Sequence, residues 1–281
     1  MVARPPFRAV TVMERSSLLI LGITLAATAA AQPRMLATAF YEKTGEALTD
    51  LTAANFTVKD GSLELTVVSA EYKTDDMDLM VVLDTSFAGQ AIKPLAIPFV
   101  QGVEKDEQMG VIGYDEGATV LQDFTSSKNA LTDGLMTARY GNNPRALDAL
   151  FATLDGGFEN TTGRRVILLL TSGVEGRSGT PATDVFRLAR RRKAIIHVVY
   201  YEAADVSLFE GIAERTGGLY IYAKRLRLKP NELAERIWKG IRGYYELELS
   251  GVNTFGDRVQ VDVIGLPKSK KKVVASGLPL E

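Results

Sequence analysis

The sequence predicts a doubly wound, Rossmann-like α/β domain with a mostly parallel sheet, one antiparallel edge strand and small N- and C-terminal β segments. Three observations carry this. From Leu79 onward, short apolar runs alternate with longer stretches of helical spacing, the rhythm of repeated strand and helix units. Val166 to Leu170 is a continuous apolar run, as a strand covered by helices on both faces requires. Before Leu79 and after Tyr244 the helical period is lost, and the residues read as half-buried strands and turns.

The first residues stand apart. Arg4, Arg8 and Arg15 precede an apolar run from Leu18 to Ala27, and Ala29-Ala30-Ala31 leads into Gln32-Pro33. Basic, apolar and small segments in that order make a secretory signal, with cleavage expected after Ala31. The run is shorter than the roughly 20 apolar residues of a membrane span. Met13 also opens a complete signal, so Met1 and Met13 are alternative starts. The expected organisation is a signal over 1–31, a small β region and linker over 32–78, the α/β domain over 79–242 and a β extension over 243–281. The mature protein is expected in the periplasm or outside the cell, with no membrane insertion once the signal is cleaved.

Within the first β region, Ala37 to Tyr41 reads as extended and Thr44-Gly45 as a turn. Phe56 to Lys59 and Leu63 to Val68 flank Asp60-Gly61, two residues that tolerate positive φ and so mark a hairpin. Lys73 to Asp78 reads as a polar linker. The domain then offers strands at Leu79 to Leu83, Met109 to Tyr114, Thr119 to Gln122, Val166 to Leu170, Ala194 to Tyr200 and Leu219 to Tyr222. Of these, the second and third pair as a hairpin. Helices are expected near Ile92 to Val103, Ser127 to Ala138, Arg145 to Leu154, Ala182 to Arg192, Val206 to Thr216 and Asn231 to Ile241. Beyond them come strands at Tyr244 to Leu249 and Val259 to Val263, separated by Gly256-Asp257, and a third near Lys271 to Ala275. Lys268 and Lys270 to Lys272 read as a solvated turn.

Composition excludes several functions. The net charge of −1 gives no basic field for nucleic acid. With no cysteine there are no disulfides, thiolate metal sites or cysteine nucleophiles, and the single histidine, His197, cannot form a histidine-rich metal site.

In open α/β sheets, ligands bind beyond the carboxyl ends of the strands. Asp84-Thr85-Ser86-Phe87-Ala88 follows the first strand of the domain, and Thr171-Ser172-Gly173-Val174-Glu175 follows Val166 to Leu170. Gly141-Asn142-Asn143-Pro144-Arg145 lies between two helices. This arrangement resembles the von Willebrand factor type A (VWA) family. There, D-x-S-x-S after the first strand, a Thr in a later loop and an Asp after the fourth strand hold Mg²⁺ or Mn²⁺ in a metal-ion-dependent adhesion site (MIDAS). Asp84 and Ser86 match. Ala88 stands at the second Ser. Aligning Asn142 to Leu150 with the family's G-G-T-x-L-x-D-A-L keeps Asp148-Ala149-Leu150 but puts Pro144 on the Thr. Ser172 takes the place of the second Asp. Two of five positions survive, with one of two carboxylates.

The resemblance extends outward. Gly45, Leu51-Thr52, Asn55-Phe56 and Asp60-Gly61 resemble the N-terminal strand unit of bacterial VWFA-related proteins. Gly113 to Leu131 resembles the family's second and third strands, and the strands from Tyr244 resemble its C-terminal extension.

A hard divalent ion wants several oxygens with carboxylate charge, so no cofactor is expected. Mg²⁺ or Mn²⁺ on Asp84 and Ser86, with Glu175 or Asp115 added, is the alternative. Without metal, Asp84 caps the following turn and Ser86 bonds local backbone. The expected function is binding of another protein or a surface polymer through Asp84, Thr85, Ser86, Phe87, Asn142, Asn143, Arg145, Ser172 and Glu175, with no reaction catalysed. Phe87 either anchors an interface or tucks under the first helix.

A serine hydrolase using Ser172 is the enzymatic alternative. It lacks the first Gly of G-x-S-x-G, and His197 sits inside an apolar strand where a core role is expected. Neither nucleotide fingerprint, G-x-G-x-x-G nor G-x-x-x-x-G-K-[ST], occurs. Arg187, Arg190 to Arg192 and Lys193 crowd the end of one helix, where they suit its dipole. Gly176 to Gly179 reads as a loop capped by Thr180.

Overall fold

Two sheets of different kinds share the chain. The computed structural model describes residues 32–280, apart from 160, 253, 257–258 and 267–271. The signal expected over 1–31, and Lys268, Lys270 and Lys271 of the expected turn, lie outside the described residues. The described chain enters as β1 (Arg34–Tyr41), the short β2 (Glu46–Ala47), β3 (Phe56–Asp60) and β4 (Leu63–Lys73). Next come β5 (Met77–Asp84), α1 (Lys93–Val100), β6 (Gln108–Tyr114), β7 (Ala118–Thr125), α2 (Lys128–Met136) and α3 (Ala146–Gly156). They are followed by β8 (Arg164–Thr171), α4 (Ala182–Arg192), β9 (Ile195–Tyr200), α5 (Val206–Arg215) and β10 (Tyr220–Tyr222). The single turn α6 (Ala223–Leu226), α7 (Pro230–Ile241), β11 (Tyr244–Ser250), β12 (Val259–Val263) and β13 (Val273–Leu280) complete it.

The six-stranded sheet has the order β10-β9-β8-β5-β6-β7. All its pairs are parallel except β6 with β7, which closes one edge as an antiparallel hairpin. Helices α1, α2 and α7 pack together on one face, and α3, α4 and α5 on the other. This is why every residue of β5 is buried and why Leu79 to Leu83 within it is continuously apolar rather than alternating. The strand starts earlier than Leu79 because the Asp78 carboxylate is satisfied there, accepting the Gly163 N–H at 2.6 Å. On α7, Leu233, Ala234, Ile237, Trp238 and Ile241 are buried at helical spacing. Trp238 stacks on Phe99 of α1 at 4.6 Å and donates its indole N–H to the Phe99 carbonyl at 2.8 Å.

The β segments expected as two separate attachments are one antiparallel sheet. Its order is β12-β3-β4-β11-β1-β13, with β2 on β1. Strand β1 pairs with β11 on one side and β13 on the other. Two or three short strands cannot bury a face alone. Joined, they enclose a core of Met35, Val58, Leu65, Tyr245 and Leu247. The linker shrinks to Thr74–Asp76, because β4 runs to Lys73 and β5 begins at Met77. Strand β13 begins and ends later than the Lys271 to Ala275 expected, and takes in Gly277 and Pro279. As an edge strand it tolerates the proline, and a Cβ on Gly277 would come 2.5 Å from Val261 Cγ2.

Arg164 ties the two sheets together. From the start of β8 it donates to the carbonyls of Ile241 and Arg242, at 3.1 and 3.0 Å. It also pairs with Asp75 at 3.1 Å and lies 4.7 Å over the Tyr244 ring. The arginines ending α4 do more than face its dipole. Arg190 donates to the carbonyls of Phe255 and Gly256, and Arg192 pairs with Asp155.

Candidate functional site

From β5 the chain steps to β6 on one side, and β8 lies on the other. The strand order therefore reverses between β5 and β8, and a crevice beyond their carboxyl ends is the expected binding position of such a sheet. Asp84 ends β5, and Ser172 directly follows β8.

Both oxygens of the Asp84 carboxylate are engaged. Oδ1 accepts the Ser86 N–H at 2.9 Å and the Ser86 hydroxyl at 2.6 Å. Oδ2 accepts the Ser172 N–H at 2.9 Å. The Ser86 hydroxyl oxygen in turn accepts the Gly89 N–H at 3.2 Å. Gly89 has no room for a side chain, since a Cβ would fall 2.2 Å from the Asp84 carbonyl oxygen. Backbone bonds fix the loop further: Phe87 N–H donates to the Gly141 carbonyl and Gly141 N–H to the Thr85 carbonyl, both at 2.9 Å.

The second loop is held by its own carboxylates. Glu175 accepts the Ala146 and Leu147 N–H groups at 3.1 and 3.4 Å and the Ser178 N–H at 2.8 Å. It thereby caps α3, whose first turn lacks a side-chain cap of its own. Asp148 accepts the Gly179 and Thr180 N–H groups at 3.1 and 2.8 Å. Burial pushes the Asp148 carboxyl up, but bonds from Thr180 and Gly179 and the charge of Arg145 outweigh it and hold the group below the usual carboxylate range. Thr180 thus holds this loop to Asp148, while Pro181 takes the N-cap position of α4.

Burial divides the residues expected to touch a partner. Asp84 and Ser86 are 0% exposed, Ser172 1% and Thr85 4%, so their side chains are covered. Glu175 is half-buried and committed to α3. Asn143 and Arg145 are half-buried, Asn142 is exposed, and Phe87 is 60% exposed. Phe87 stands out in the loop rather than under α1.

Sequence reasoning missed two tyrosines. Tyr140, directly before Gly141, lies at the rim under the Lys93 ammonium, 4.6 Å from its ring centroid. Burial first, and then the Asp84 charge, raise its hydroxyl. Tyr114 is fully buried, 0% exposed, behind this site. Burial, then Asp84, push it far above the usual phenol value. An aromatic at a loop end was the only signal, and strand ends carry many.

The donor set does not fit Mg²⁺ or Mn²⁺. Both Asp84 oxygens accept internal hydrogen bonds, two at Oδ1 and one at Oδ2, Ala88 and Pro144 have no side-chain oxygen, and Glu175 is bonded to α3. Among the described residues no group of three or more ionisable ligands could hold a metal ion. Nor does Ser172 have a base. Its hydroxyl oxygen accepts the Val174 N–H at 3.3 Å. His197 pairs in register with Leu168, four residues down the strand, or about 13 Å at the usual rise. There its Nδ1 accepts the Leu219 N–H at 3.0 Å. Burial, then the Arg164 charge, hold its pKa down to about 3, so it is a neutral core residue.

No protein-family model matches this sequence, and no curated protein resembles it in sequence. Solved structures do resemble it in fold. Proximal thread matrix protein 1 from the mussel byssus, solved with a zinc-occupied MIDAS motif, superposes with a TM-score of 0.54 at 15% identity. The match covers 65% of this chain and 50% of the mussel protein. An aerotolerance-related membrane protein from Bacteroides fragilis matches at TM-score 0.47 and 17% identity, over 59% of this chain and 98% of its own. The vWF domain of the type V pili tip protein Mfa5 from Porphyromonas gingivalis matches at 0.43 and 12%, over 60% and 97%.

Proposed function

We propose, from the premise that this chain has a VWA-type fold, that it is an exported binding module that recognises another protein or a surface polymer without a metal ion. The observation that carries the reading is Phe87. It is a large apolar side chain, 60% exposed, on a loop whose backbone is bonded at Thr85 and Phe87 to Gly141. An exposed aromatic on a rigid support loses little conformational freedom on binding and makes an effective anchor. Tyr140 and Asn142 flank it on the bonded neighbouring loop, and supply polar contact around an apolar centre.

The internal bonds of Asp84 support the metal-free part of the reading. In place of an ion, the Ser172 N–H and the Ser86 N–H and hydroxyl hydrogen-bond the carboxylate, so the loops hold their shape without a ligand. The enzymatic alternative gains no support, because the histidine and Ser172 are in different parts of the sheet.

Two measurements test this. Photoreactive groups placed at Phe87 and at Lys105, which lies at the opposite end of the sheet, are expected to give partner adducts in cells from position 87 only. Adducts from both positions, or from 105 alone, would overturn the assignment of the face. Calorimetric titration of Mg²⁺ and Mn²⁺ is expected to show no binding. Micromolar binding lost in Asp84→Ala would overturn the metal-free reading.

A further inference from the structure

The six-stranded sheet ends in two edges of different kinds. At one, β10 is three residues long. At the other, β7 is eight residues long and pairs with β6 alone. From Ala118 to Thr125 it holds no lysine, arginine or proline, the residues that commonly keep an edge from pairing with another chain. Its lower half is closed from within. Asp123 Oδ1 accepts the Phe124 N–H at 2.7 Å, and Gln122 donates its side-chain amide to the Asp123 carbonyl at 3.1 Å. Both breaks in register against β6 fall there too, between Val120 and Thr125. The upper half is regular. Tyr114, Gly113 and Ile112 pair one to one with Ala118, Thr119 and Val120, and those three residues of β7 are exposed in succession. A strand covered on one face would alternate, so this end of β7 projects clear of the helices with its outer backbone groups open.

The flank beside it is apolar. Met136 and Val120 are the two most exposed large apolar side chains among the described residues, at 72% and 64%. Helix α2 leads back along β7, and Gly134 lies against the strand, where a Cβ would come 2.8 Å from the Gln122 Cβ and the Leu121 carbonyl oxygen. Met136, two residues further along α2, is therefore level with Val120. An open strand edge bordered by uncovered apolar side chains marks a surface that pairs.

We propose that the upper half of β7 pairs with the same strand of a second copy of this chain, antiparallel about a two-fold axis at Val120, joining the two parallel sheets into one. The distribution of charge selects both the occupant and the register. Centred on Thr119, the pairing would set Asp115 opposite Asp123; centred between Thr119 and Val120, it would set Glu116 opposite Asp123. Like charges directly opposed across strands are destabilising. Centred on Val120, Asp123 meets Gly117 and Glu116 meets Phe124, so no carboxylate faces another. Centres further down draw in Asp123 and Phe124, whose backbone is already engaged. At the axis Val120 meets its own counterpart, with Met136 beside the seam in each copy. A two-fold pair uses up the edge, and the three-residue β10 gives little to extend from, so the product is a closed dimer and not a fibre. The pairing uses neither Phe87 nor Asn142 and does not rest on the binding reading.

Cysteine crosslinking and sedimentation velocity of the purified full chain test the proposal. The chain has no cysteine, so one introduced thiol reports on one position. Directly opposed residues of paired strands bring their Cα atoms to about 4.5–5.5 Å, within the reach of a disulfide. Mild oxidation of Val120→Cys is expected to give a disulfide-linked dimer at least about tenfold faster than that of Val68→Cys, a position 48% exposed on β4 of the other sheet. The native chain is expected to sediment as a reversible dimer. Val120→Lys sets two like charges on the axis and is expected to associate at least about tenfold more weakly. Equal crosslinking at 120 and 68, a native chain that stays monomeric up to about 100 μM, or undiminished association in Val120→Lys would each overturn the proposal. So would dimers that are lost in Phe87→Ala and kept in Val120→Lys. Circular dichroism checks that Val120→Lys folds; if it does not, the comparison of Val120→Cys with Val68→Cys decides alone.

Discussion

The Asp84 carboxylate accepts the backbone N–H of Ser172 at 2.9 Å, across the boundary where the strand order of the parallel sheet reverses. This bond closes from within the crevice where such sheets receive ligands. The charge that a ligand would meet is instead shared among donors of the two loops. What reaches solvent is the next layer, above all Phe87.

Asp84→Asn tests that arrangement. The amide can keep one acceptor toward Ser86, but its NH₂ then faces the Ser172 N–H, donor against donor. A buried donor left unpaired, with loss of a charge-assisted bond, costs roughly 3 kcal/mol. The expected result is a lower urea midpoint with an unchanged slope. Full stability would mean that the bond contributes nothing.

Glu175 and Phe87 are expected to separate stability from recognition. Glu175→Ala removes the acceptor of the first N–H groups of α3 and is expected to cost about 1–2 kcal/mol, as lost helix caps do. Phe87→Ala is expected to leave stability within about 0.5 kcal/mol while reducing partner crosslinking from the neighbouring position 142. Thermal melts of both variants, with that crosslinking readout, check the division.

His197 gives a pH signature. Its pKa is 6.5 in an ordinary setting and about 3 in the fold, so between those values the unfolded chain binds a proton that the folded chain refuses. Its contribution is therefore fully present above about pH 6.5 and is lost as pH falls toward 3. The slope is up to about 1.4 kcal/mol per pH unit. His197→Gln can still offer the Leu219 N–H an acceptor and has no such titration. Urea midpoints at pH 7 and 4.5 are expected to fall more in the native protein than in this variant.

How much of this could be read from sequence depends on how local each feature is. Leu79 to Leu83 and Val166 to Leu170 announced themselves because burial on both faces leaves an unbroken apolar run. The joining of β1 to β11 and β13 did not, because Met35 meets Leu247 and Pro279 through a register no local period encodes. The pattern Asp84, Ser86, Ala88 was legible as a depleted ligand set because it falls within five residues. Which of those side chains reach water was not. Ser86 is covered and Phe87 exposed because the loop is bonded to Gly141, a contact visible only once the chain is folded. Tyr140 escaped for the same reason, since Lys93 reaches it from α1.

Arg164 predicts how the sheets hold together. Lysine in its place keeps the charge but lacks the planar fork that serves Asp75 and two carbonyls at once. Arg164→Lys is expected to cost roughly 2–3 kcal/mol. Amide exchange is expected to rise first at Tyr244 and Tyr245, where β11 leaves α7. Uniform destabilisation without that local signature would argue against a tie between the sheets.

The depleted ligand set can be reversed. Ala88→Ser, Pro144→Thr and Ser172→Asp together would return the oxygens that the resemblance to the adhesion site calls for. Without metal the new carboxylate at 172 faces that of Asp84, whose Oδ2 already receives the backbone N–H of the same residue. Like charges that close repel, so the triple variant in EDTA is expected to melt below the native protein. Added Mg²⁺ neutralises the pair and is expected to restore stability by about 2.7 kcal/mol at a hundredfold excess over its dissociation constant. The native protein, whose Asp84 oxygens are already engaged, is expected to show no Mg²⁺-dependent shift. A Mg²⁺ shift in the native protein equal to that of the variant would mean that the internal bonds of Asp84 yield to a cation after all.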